Sequence, residues 1–289
     1  MTSFDVVGLV RRRLGVRRVG HAGTLDPDAT GVLPVLLGEA TKLMAYVSDH
    51  DKEYRAVVRL GVRTDTQDLS GRVLSEVAVP DLPRATIEAA ARAFVGRIHQ
   101  TPPMYSALHH GGRRLYELAR EGVEVARAPR EVVVHAVDVE AVEGARVTLR
   151  VVCGKGTYIR TLAADLGDAL GVGGAVERLT RLRVGPFTSA RAVTWELLEQ
   201  APTASLRAHV APPDAALAGW VEARLDAGRA EAFRHGQAVE SAGTEPGLIR
   251  VHDDAGVLIG VGAVDAEGGR LRPIRILHAD RPDTRVLPA

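Results

Sequence analysis

Apolar residues recur at a spacing of three and four in several stretches of the chain, and turn-forming residues separate these stretches. This spacing is typical of helices that bury one face. Ser3 is a residue type suited to cap the first of them. The predicted helices cover residues 6–14, 39–47, 84–94, 112–121 and 157–170.

Apolar and polar residues alternate in other stretches, a pattern typical of strands. The alternation predicts a strand over 54–60 and a pair of strands over 131–142 and 146–153. Glu143-Gly144-Ala145 is a turn of hairpin length between the two paired strands. Strands in series with interspersed helices indicate the α+β class.

The last part of the chain has its own strand pattern. Composition shifts to proline and alanine at residues 201–203 and again at 211–214. Beyond them, two apolar runs, 247–251 and 257–261, flank the turn sequence Asp253-Asp254-Ala255-Gly256. We expect a domain boundary near residue 220.

Composition excludes several classes of protein. With 289 residues, 46% hydrophobic and 25% charged, the chain is long and apolar enough to fold around a proper core. No apolar run approaches the roughly 20 residues of a membrane helix, and the start lacks the features of a signal peptide. The single cysteine, Cys153, excludes an internal disulfide, and its apolar setting predicts a buried position. These features predict a cytoplasmic protein without a membrane association.

Charge alone gives little indication of a nucleic-acid partner, since the net charge is +1. The basic residues are nearly all arginine, however, and they cluster in the sequence. Arginine is well suited to bidentate phosphate contacts and to stacking on bases, although a GC-rich genome would produce the same bias. A neutral protein binds RNA when its charges segregate onto one face. The clusters are Arg11-Arg12-Arg13, Arg17-Arg18, Arg113-Arg114, and Arg178, Arg181 and Arg183.

The segment over residues 20–34, Gly-His-Ala-Gly-Thr-Leu-Asp-Pro-Asp-Ala-Thr-Gly-Val-Leu-Pro, is the most informative part of the chain. Its glycines, Gly20, Gly23 and Gly31, permit backbone angles closed to other residues. Pro27 fixes the backbone directly after Asp26 and favours extended geometry at Asp26 itself. An Asx-turn at Asp26 would explain Leu-Asp-Pro-Asp but not the flanking residues. We therefore expect a loop that holds one carboxylate in one orientation.

This segment, continued through Gly38-Glu39-Ala40-Thr41-Lys42, closely resembles the motif of the bacterial TruB-type tRNA pseudouridine synthases. Further motifs of that family follow in the same order along nearly the whole chain. Chance does not account for so many matches in order. They are the runs at residues 51–55 (DKEYR), 60–66 (LGVRTDT), 100–108 (QTPPMYSAL), 154–162 (GKGTYIRTL) and 179–183 (LTRLR).

The resemblance implies a fold and an activity. The expected fold is α+β, with a mixed, largely antiparallel sheet flanked by helices over residues 1–219 and a small PUA-like RNA-binding β-barrel over 220–289. The expected enzyme is an isomerase, a tRNA pseudouridine(55) synthase that flips the T-loop uridine out of the stack and converts it to pseudouridine. The implied partner is the T-arm or elbow of tRNA, bound by a monomer that requires no protein partner.

The resemblance also assigns roles to single residues. Asp26 matches the catalytic aspartate, and Arg160 the arginine that pairs with it. Tyr54 matches the tyrosine that stacks on the target base and is a candidate for proton transfer at C5. His21 matches the histidine that fills the space vacated by the flipped base, and Leu182 an apolar wall of the uracil pocket. From the residues alone, Tyr54 and Leu182 would be core residues, and His21 and Arg160 surface residues.

Residues 99–127 match an RNA-gripping insertion of the family. Its side chains Tyr105, Arg113 and Arg114 are suited to phosphate contact and stacking. Where the family usually has lysine after Ser-Ala-Leu, this chain has His109, which would weaken one RNA contact without affecting the chemistry.

The start of the chain departs from the family pattern. Members usually begin with an apolar strand and a Lys-Pro-x-Gly-x-Thr-Ser motif, whereas this chain begins Met1-Thr2-Ser3. The usual first strand is therefore expected to be missing, which would leave a neighbouring strand without its partner.

Pseudouridine formation breaks the N1–C1′ bond and rejoins the uracil through C5, without any redox change. A carboxylate suits this task as a nucleophile towards the sugar or as a base, and the sequence leaves that choice open. We find no Walker motif, no metal-spaced His/Cys set and no dinucleotide fingerprint, so no cofactor is expected.

Two alternatives come from other classes. The chain could be a tRNA-binding folding factor whose catalysis is weak or lost. Alternatively, His21, Asp26 and Asp28 could form the metal site of a hydrolase. Replacement of Asp26 by asparagine separates the first alternative from the enzyme, and insensitivity to a chelator removes the second.

Overall fold

The computed structural model describes residues 1–241, 245–265 and 269–278, and the backbone of 285–288. The chain forms two compact units. Unit 1 comprises Met1–Pro27, Val32–Asp49 and Val184–Ala289, and unit 2 comprises Asp28–Gly31 and His50–Arg183. In the described part of the chain, no helix has the length and apolar character needed to cross a bilayer.

The helices are α1 (Ser3–Leu14), α2 (Met44–Asp49), α3 (Arg84–Arg92), α4 (Leu115–Arg120), α5 (Ile159–Ala169), α6 (Trp195–Gln200), α7 (Thr203–Ala208) and α8 (Ala227–Arg234). Short 3-10 helices cover Gly38–Leu43, Ser189–Arg191 and Pro213–Leu217. The strands are β1 (Val19–His21), β2 (Thr30–Gly31), β3 (Pro34–Leu37), β4 (Lys52–Leu60), β5 (Val62–Thr64), β6 (Val73–Glu76), β7 (Gly96–Gln100), β8 (His109–His110), β9 (Arg113–Arg114), β10 (Arg130–Glu143), β11 (Arg146–Cys153), β12 (Gly174–Val184), β13 (Phe187–Thr188), β14 (Glu222–Arg224), β15 (Val239–Glu240), β16 (Gly247–His252), β17 (Leu258–Val264), β18 (Arg270–Ile276) and β19 (Arg285–Pro288).

Unit 2 is built on a sheet of strand order β12-β4-β11-β10-β7. The β4-β11, β11-β10 and β10-β7 pairs are antiparallel, and the short β2 runs parallel to β12. Helices α3 and α5 bury apolar residues such as Ile87 and Leu162 against this sheet. The mixed, largely antiparallel α+β fold is thus confirmed.

Unit 1 contains two further sheets. The first has the order β1-β3-β19, and α1 packs beside β3 through buried residues such as Val10. The second has the order β14-β16-β17-β18-β15 and surrounds its own core, which includes Phe233 and Val251. This second sheet is the small barrel-like module expected at the C-terminal end.

The cap of α1 differs from the prediction. Thr2, and not Ser3, is the N-cap: its hydroxyl accepts from the amide of Asp5 at 3.2 Å, while the Thr2 amide donates to the Asp5 carboxylate at 2.7 Å. This reciprocal pair is a capping box. The Thr2 backbone bond, more than any other contact, lowers the pKa of Asp5. Ser3 is already inside the helix and is buried.

Other predicted elements are confirmed with shifted ends. The stretch from Glu39 to Val47 is helical, as a 3-10 turn that continues into α2. The predicted helix over 112–121 begins only at Leu115, because Gly111 and Gly112 have positive φ angles and form the turn between β8 and β9. Arg113 and Arg114 therefore lie on a short strand. The paired strands β10 and β11 have the predicted partners and turn.

Candidate functional site

The loop that contains Asp26 leaves β1 at His21 and returns at β3. The two ends of the loop are joined by a hydrogen bond, in which the amide of Ala22 donates to the carbonyl of Pro34 at 2.9 Å. Of the glycines expected to require unusual angles, Gly23 and Gly31 have positive φ, whereas Gly20 does not. Asp26 is half-buried in unit 1.

A serine from α1 fixes the residue directly before Asp26. The hydroxyl of Ser3 accepts a hydrogen bond from the Leu25 amide at 3.0 Å and donates to the Leu25 carbonyl at 3.4 Å. Ser3 is only 6% exposed, so both bonds are shielded from water. We call this pair of bonds the Ser3 clamp. No local pattern predicts this clamp, because its two partners lie 22 positions apart in the chain.

The later part of the loop, Asp28–Gly31, belongs to unit 2. Thr30 and Gly31 pair with Thr180 and Arg181 of β12, and the two threonine hydroxyls lie 2.9 Å apart. Gly31 has a φ of 105°, and a Cβ placed there would lie 2.1 Å from the backbone oxygen of Arg181. Only glycine fits this close approach.

His21 is the last residue of β1 and is half-buried. Its ring meets that of Phe4 edge to face, with centroids 5.3 Å apart and planes at 82°. Phe4 is 69% exposed. An aromatic edge therefore stands beside the imidazole at the surface of unit 1, and the role of His21 in filling a vacated base position stays a prediction.

Arg160 lies in the first turn of α5 and is buried, with 5% of its side chain exposed. The expectation of a surface cation, taken from the residues alone, is therefore wrong. Its Nη1 donates to the carbonyl of Thr66 at 2.9 Å and its Nη2 to the carbonyl of Tyr105 at 2.8 Å. Its Nε is 3.8 Å from a carboxylate oxygen of Asp68. The helix dipole disfavours a positive charge at the N-terminus of α5. The contacts of Arg160 with Thr66, Tyr105 and Asp68 offset this unfavourable energy.

Asp68, which sequence analysis did not single out, is itself held by several donors. The hydroxyl of Thr66 donates to its carboxylate at 2.7 Å. The amide and hydroxyl of Ser70 donate to the same oxygen at 3.1 and 2.6 Å. The run 60–66 pointed to this loop, but the partners of Asp68 depend on how the loop folds back over α5.

Tyr54 and Leu182 lie on neighbouring strands of unit 2, β4 and β12. Both are half-buried, and Tyr54 packs against the core of that unit. The core role expected from the residues alone is thus observed for Tyr54. Its stacking role and that of Leu182 as a pocket wall stay predictions.

Glu53, next to Tyr54, joins two arginines. Its carboxylate accepts from Nε of Arg150 at 2.8 Å and from Nε of Arg183 at 3.1 Å. The Arg150 hydrogen bond is the largest of the effects that lower the pKa of Glu53. Since Arg183 directly follows Leu182, this carboxylate ties the end of β12 to β4.

The insertion over 99–127 has a small core of its own, formed by Met104, Leu115 and Leu118. Tyr105 packs against that core while its carbonyl holds Arg160. The ring is thus half-buried, which limits the surface left for stacking on RNA.

Arg113 and Arg114 of the insertion are exposed and half-buried respectively. The Arg113 guanidinium makes two hydrogen bonds to Glu121, at 3.0 and 2.5 Å. This pairing, chiefly its hydrogen bond, raises the pKa of Arg113 and lowers that of Glu121. Solvent-exposed pairs of this kind contribute little stability, so a phosphate can compete for Arg113.

No cluster of three His, Cys, Asp or Glu side chains suited to a metal ion occurs within residues 1–241, 245–265 and 269–278. Cys153 is buried as expected. Burial raises the pKa of its thiol to about 11, so the thiol is protonated at neutral pH.

Asp26 belongs to unit 1, whereas Tyr54, Arg160 and Leu182 belong to unit 2. The meeting of these residues around one uridine, including an ion pair between Asp26 and Arg160, stays a prediction.

Comparison with known proteins covers nearly the whole chain. The model of the TruB family pseudouridylate synthase N-terminal domain matches residues 11–159. A tRNA pseudouridylate synthase B C-terminal domain matches 160–218, and a pseudouridine synthase II TruB C-terminal domain matches 222–277.

The chain is 46% identical over 280 residues to tRNA pseudouridine synthase B of Thiobacillus denitrificans, covering 96% of this chain and 92% of that protein. It is 44% identical to the protein of the same name from Xanthomonas euvesicatoria, covering 96% and 91%. Among solved structures, that of a Cbf5-Nop10-Gar1 complex superposes with a TM-score of 0.73 and 26% identity, over 96% of this chain and 81% of that one. Identity of this level over almost the full length establishes that the chain belongs to the TruB family of pseudouridylate synthases.

Proposed function

We infer that this chain is a tRNA pseudouridine synthase, and we propose that its target is the T-loop uridine at position 55 of tRNA. Its relatives at 44 and 46% identity are named tRNA pseudouridine synthase B and align over 96% of the chain. The observation that carries the proposal is a half-buried aspartate, Asp26, in a loop clamped at its preceding residue.

In the proposed reaction, Asp26 acts as the nucleophile or base while the N1–C1′ bond breaks and the C5–C1′ bond forms. The C5 proton is then removed and N1 gains a proton, so the product is an isomer of the substrate. Arg160 pairs with Asp26 and keeps it ionised and oriented. Tyr54 stacks on the base and serves as a candidate for the proton transfer at C5.

Substrate recognition requires the uridine to leave its stack, at a cost of a few kcal/mol. We propose that His21 fills the vacated position and that Leu182 forms a wall of the uracil pocket. The insertion supplies the grip on the RNA backbone, with Arg113 released from Glu121 by a phosphate. Arg114 and Tyr105 complete this surface.

Several properties of the whole protein belong to the same proposal. Residues 1–219 form the catalytic domain and 220–289 the PUA-like RNA-binding domain, which agrees with family matches ending at 218 and starting again at 222. The enzyme acts as a monomer in the cytoplasm, where its tRNA substrate is made, and requires no cofactor. Light scattering coupled to size exclusion tests the monomer.

The deciding experiment is pseudouridine formation in an unmodified tRNA transcript, mapped by carbodiimide labelling and primer extension without added metal or nucleotide. The native chain is expected to give one stop, at the T-loop uridine. Asp26→Asn is expected to give none while it still binds the transcript. Asp28→Asn, two residues away and exposed, is the matched control and should retain activity.

Other outcomes have clear meanings. A stop elsewhere in the tRNA would refute the T-loop assignment. Tight binding by the native chain without any product would favour the tRNA-binding folding factor over the enzyme. Cleavage of the transcript that a chelator abolishes, without any pseudouridine, would favour the metal-dependent hydrolase.

A further inference from the structure

Gln67 has a backbone conformation that its residue type seldom adopts. Its φ is 65°, and among the described residues it is the only non-glycine with a positive φ. Glycine adopts this left-handed region freely, whereas a side chain there introduces strain. Strained residues of this kind concentrate at functional sites, so an observed outlier calls for a functional explanation.

The side chain of Gln67 is bound to the helix that carries Arg160. Its Oε1 accepts a hydrogen bond from the hydroxyl of Thr161 at 3.0 Å. Thr161 is only 4% exposed and directly follows Arg160 in α5. The backbone of Gln67 is held as well, because its carbonyl accepts from the amide of Val176 at 3.0 Å.

Both neighbours of Gln67 face Arg160. On one side, the carbonyl of Thr66 accepts from Nη1 of Arg160 at 2.9 Å. On the other, a carboxylate oxygen of Asp68 lies 3.8 Å from its Nε. The left-handed turn at Gln67 therefore places a carbonyl and a carboxylate on the same guanidinium, and the bond to Thr161 fixes that turn to the helix.

We propose that Gln67 is a positioning residue for the pseudouridylation reaction: through Thr161 it locks the loop over residues 64–72 onto α5 and thereby fixes the Arg160 guanidinium. This inference rests on the proposed function, in which Arg160 orients the catalytic aspartate. A glycine would satisfy the backbone without strain. The strained glutamine is explained by its side chain, which supplies the acceptor for Thr161.

A second glutamine holds the start of α5 independently of Gln67. The side chain of Gln100 accepts from the amide of Tyr158 at 2.9 Å and donates to the carbonyl of Tyr158 at 3.2 Å. These two hydrogen bonds hold Tyr158, the N-cap residue of α5, and do not involve Gln67. A variant at Gln67 should therefore loosen the loop without unwinding the helix.

The test compares Gln67→Gly, Thr161→Val and the double variant in single-turnover and steady-state assays with the tRNA transcript. Each single variant is expected to lower kcat on the order of ten-fold, because small displacements of a positioned group have effects of this size. KM should change less than about two-fold, since neither side chain is assigned to the RNA surface. The double variant should be no slower than the slower single variant, because both remove the same bond.

Two further variants separate positioning from stability. Thr161→Ser keeps the hydroxyl and is expected to recover most of the activity lost in Thr161→Val. Thr86→Val makes the same change at an exposed position of α3 and should leave kcat as in the native chain. Amide hydrogen exchange over 64–72 should accelerate in Gln67→Gly, Thr161→Val and the double variant, and stay close to native in Thr161→Ser and Thr86→Val.

Unchanged kcat in both single variants, or effects that multiply in the double variant, would overturn the inference. Activity lost through a rise in KM would also overturn it. If the native chain forms no pseudouridine, the proposed function fails. Hydrogen exchange then tests separately whether the Gln67–Thr161 hydrogen bond fixes the loop to α5. Native protection of residues 64–72 in Thr161→Val would show that it does not.

Discussion

The Ser3 clamp leads to a prediction that links a buried hydroxyl to catalysis. In Ser3→Ala, the Leu25 amide loses an acceptor at 3.0 Å and the Leu25 carbonyl loses a donor at 3.4 Å. A buried group left without its hydrogen bond destabilises a protein by about 1–3 kcal/mol. Alanine regains about 0.5 kcal/mol through its higher helix propensity in α1.

The net loss of unfolding free energy is therefore about 0.5–2.5 kcal/mol. For a chain of 289 residues, that corresponds to a melting temperature lower by about 1–4 °C. The native fold should persist, since the capping box of Thr2 and Asp5 is untouched.

The effect on activity should be larger than the effect on stability. Leu25 precedes Asp26, so release of the clamp loosens the backbone that carries the carboxylate proposed to be catalytic. A displacement of about 1 Å is enough to lower a rate by as much as 100-fold. We expect kcat to fall by about 10-fold or more, while KM stays close to its native value.

The assays are steady-state and single-turnover measurements of pseudouridine formation, run beside thermal unfolding followed by circular dichroism. Ser205→Ala is the matched control, because Ser205 is an exposed serine within α7. A melting temperature lowered as predicted, with kcat within about two-fold of native, would refute the reasoning. The clamp would then contribute to stability alone.

Two further predictions concern close packing and pH. Gly31→Ala should destabilise the protein by more than about 2 kcal/mol, because its Cβ would lie 2.1 Å from a backbone oxygen of β12. Gly15→Ala, at a φ of 68° with no atom within 4 Å, controls for the left-handed angle in the same thermal unfolding assay. Glu53, whose pKa is lowered chiefly by Arg150, contributes stability above its ordinary pKa of 4.5 that is lost as the pH falls through the lower folded value. In urea unfolding, the stability difference between native and Glu53→Gln should shrink from pH 6 towards pH 3, and a constant difference would contradict this account.

Local signals were sufficient for much of the fold. Alternating apolar residues and the turn at Gly144 predict β10 and β11, and these strands pair as expected. Such hairpins depend on residues that are close in the sequence. For the same reason the predicted helices α3 and α5 are found within two residues of their expected starts.

Where two local signals compete, the sequence was a weaker guide. Ser3 and Thr2 are both good caps, and the deciding feature is Asp5, which completes a box with Thr2 and leaves Ser3 available for Leu25. The adjacent Gly111 and Gly112 favour a hairpin turn over the helix that the apolar spacing suggested.

Long-range partners were beyond any local pattern. Arginine is seldom fully buried, yet the run 179–183 lies in β12, where Arg181 is only 2% exposed. Arg160 takes its carbonyl partners from residues 94 and 55 positions away. Family resemblance supplied a role for Arg160, but its burial and its contacts with Thr66 and Asp68 required the structure.

Asp26 and Arg160, the two candidate catalytic residues, are each positioned by a hydrogen bond to an adjacent residue. The Ser3 clamp acts on Leu25, one residue before Asp26, and the Gln67 bond acts on Thr161, one residue after Arg160. A hydrogen bond to an adjacent residue fixes where a side chain leaves the backbone without using the atoms that do the chemistry. Positioning of this kind is expected to affect kcat more than KM, since it changes the geometry of the reacting groups and not the surface that binds RNA. A KM-dominated loss in variants of both Ser3 and Gln67 would therefore argue against the catalytic roles assigned to their neighbours.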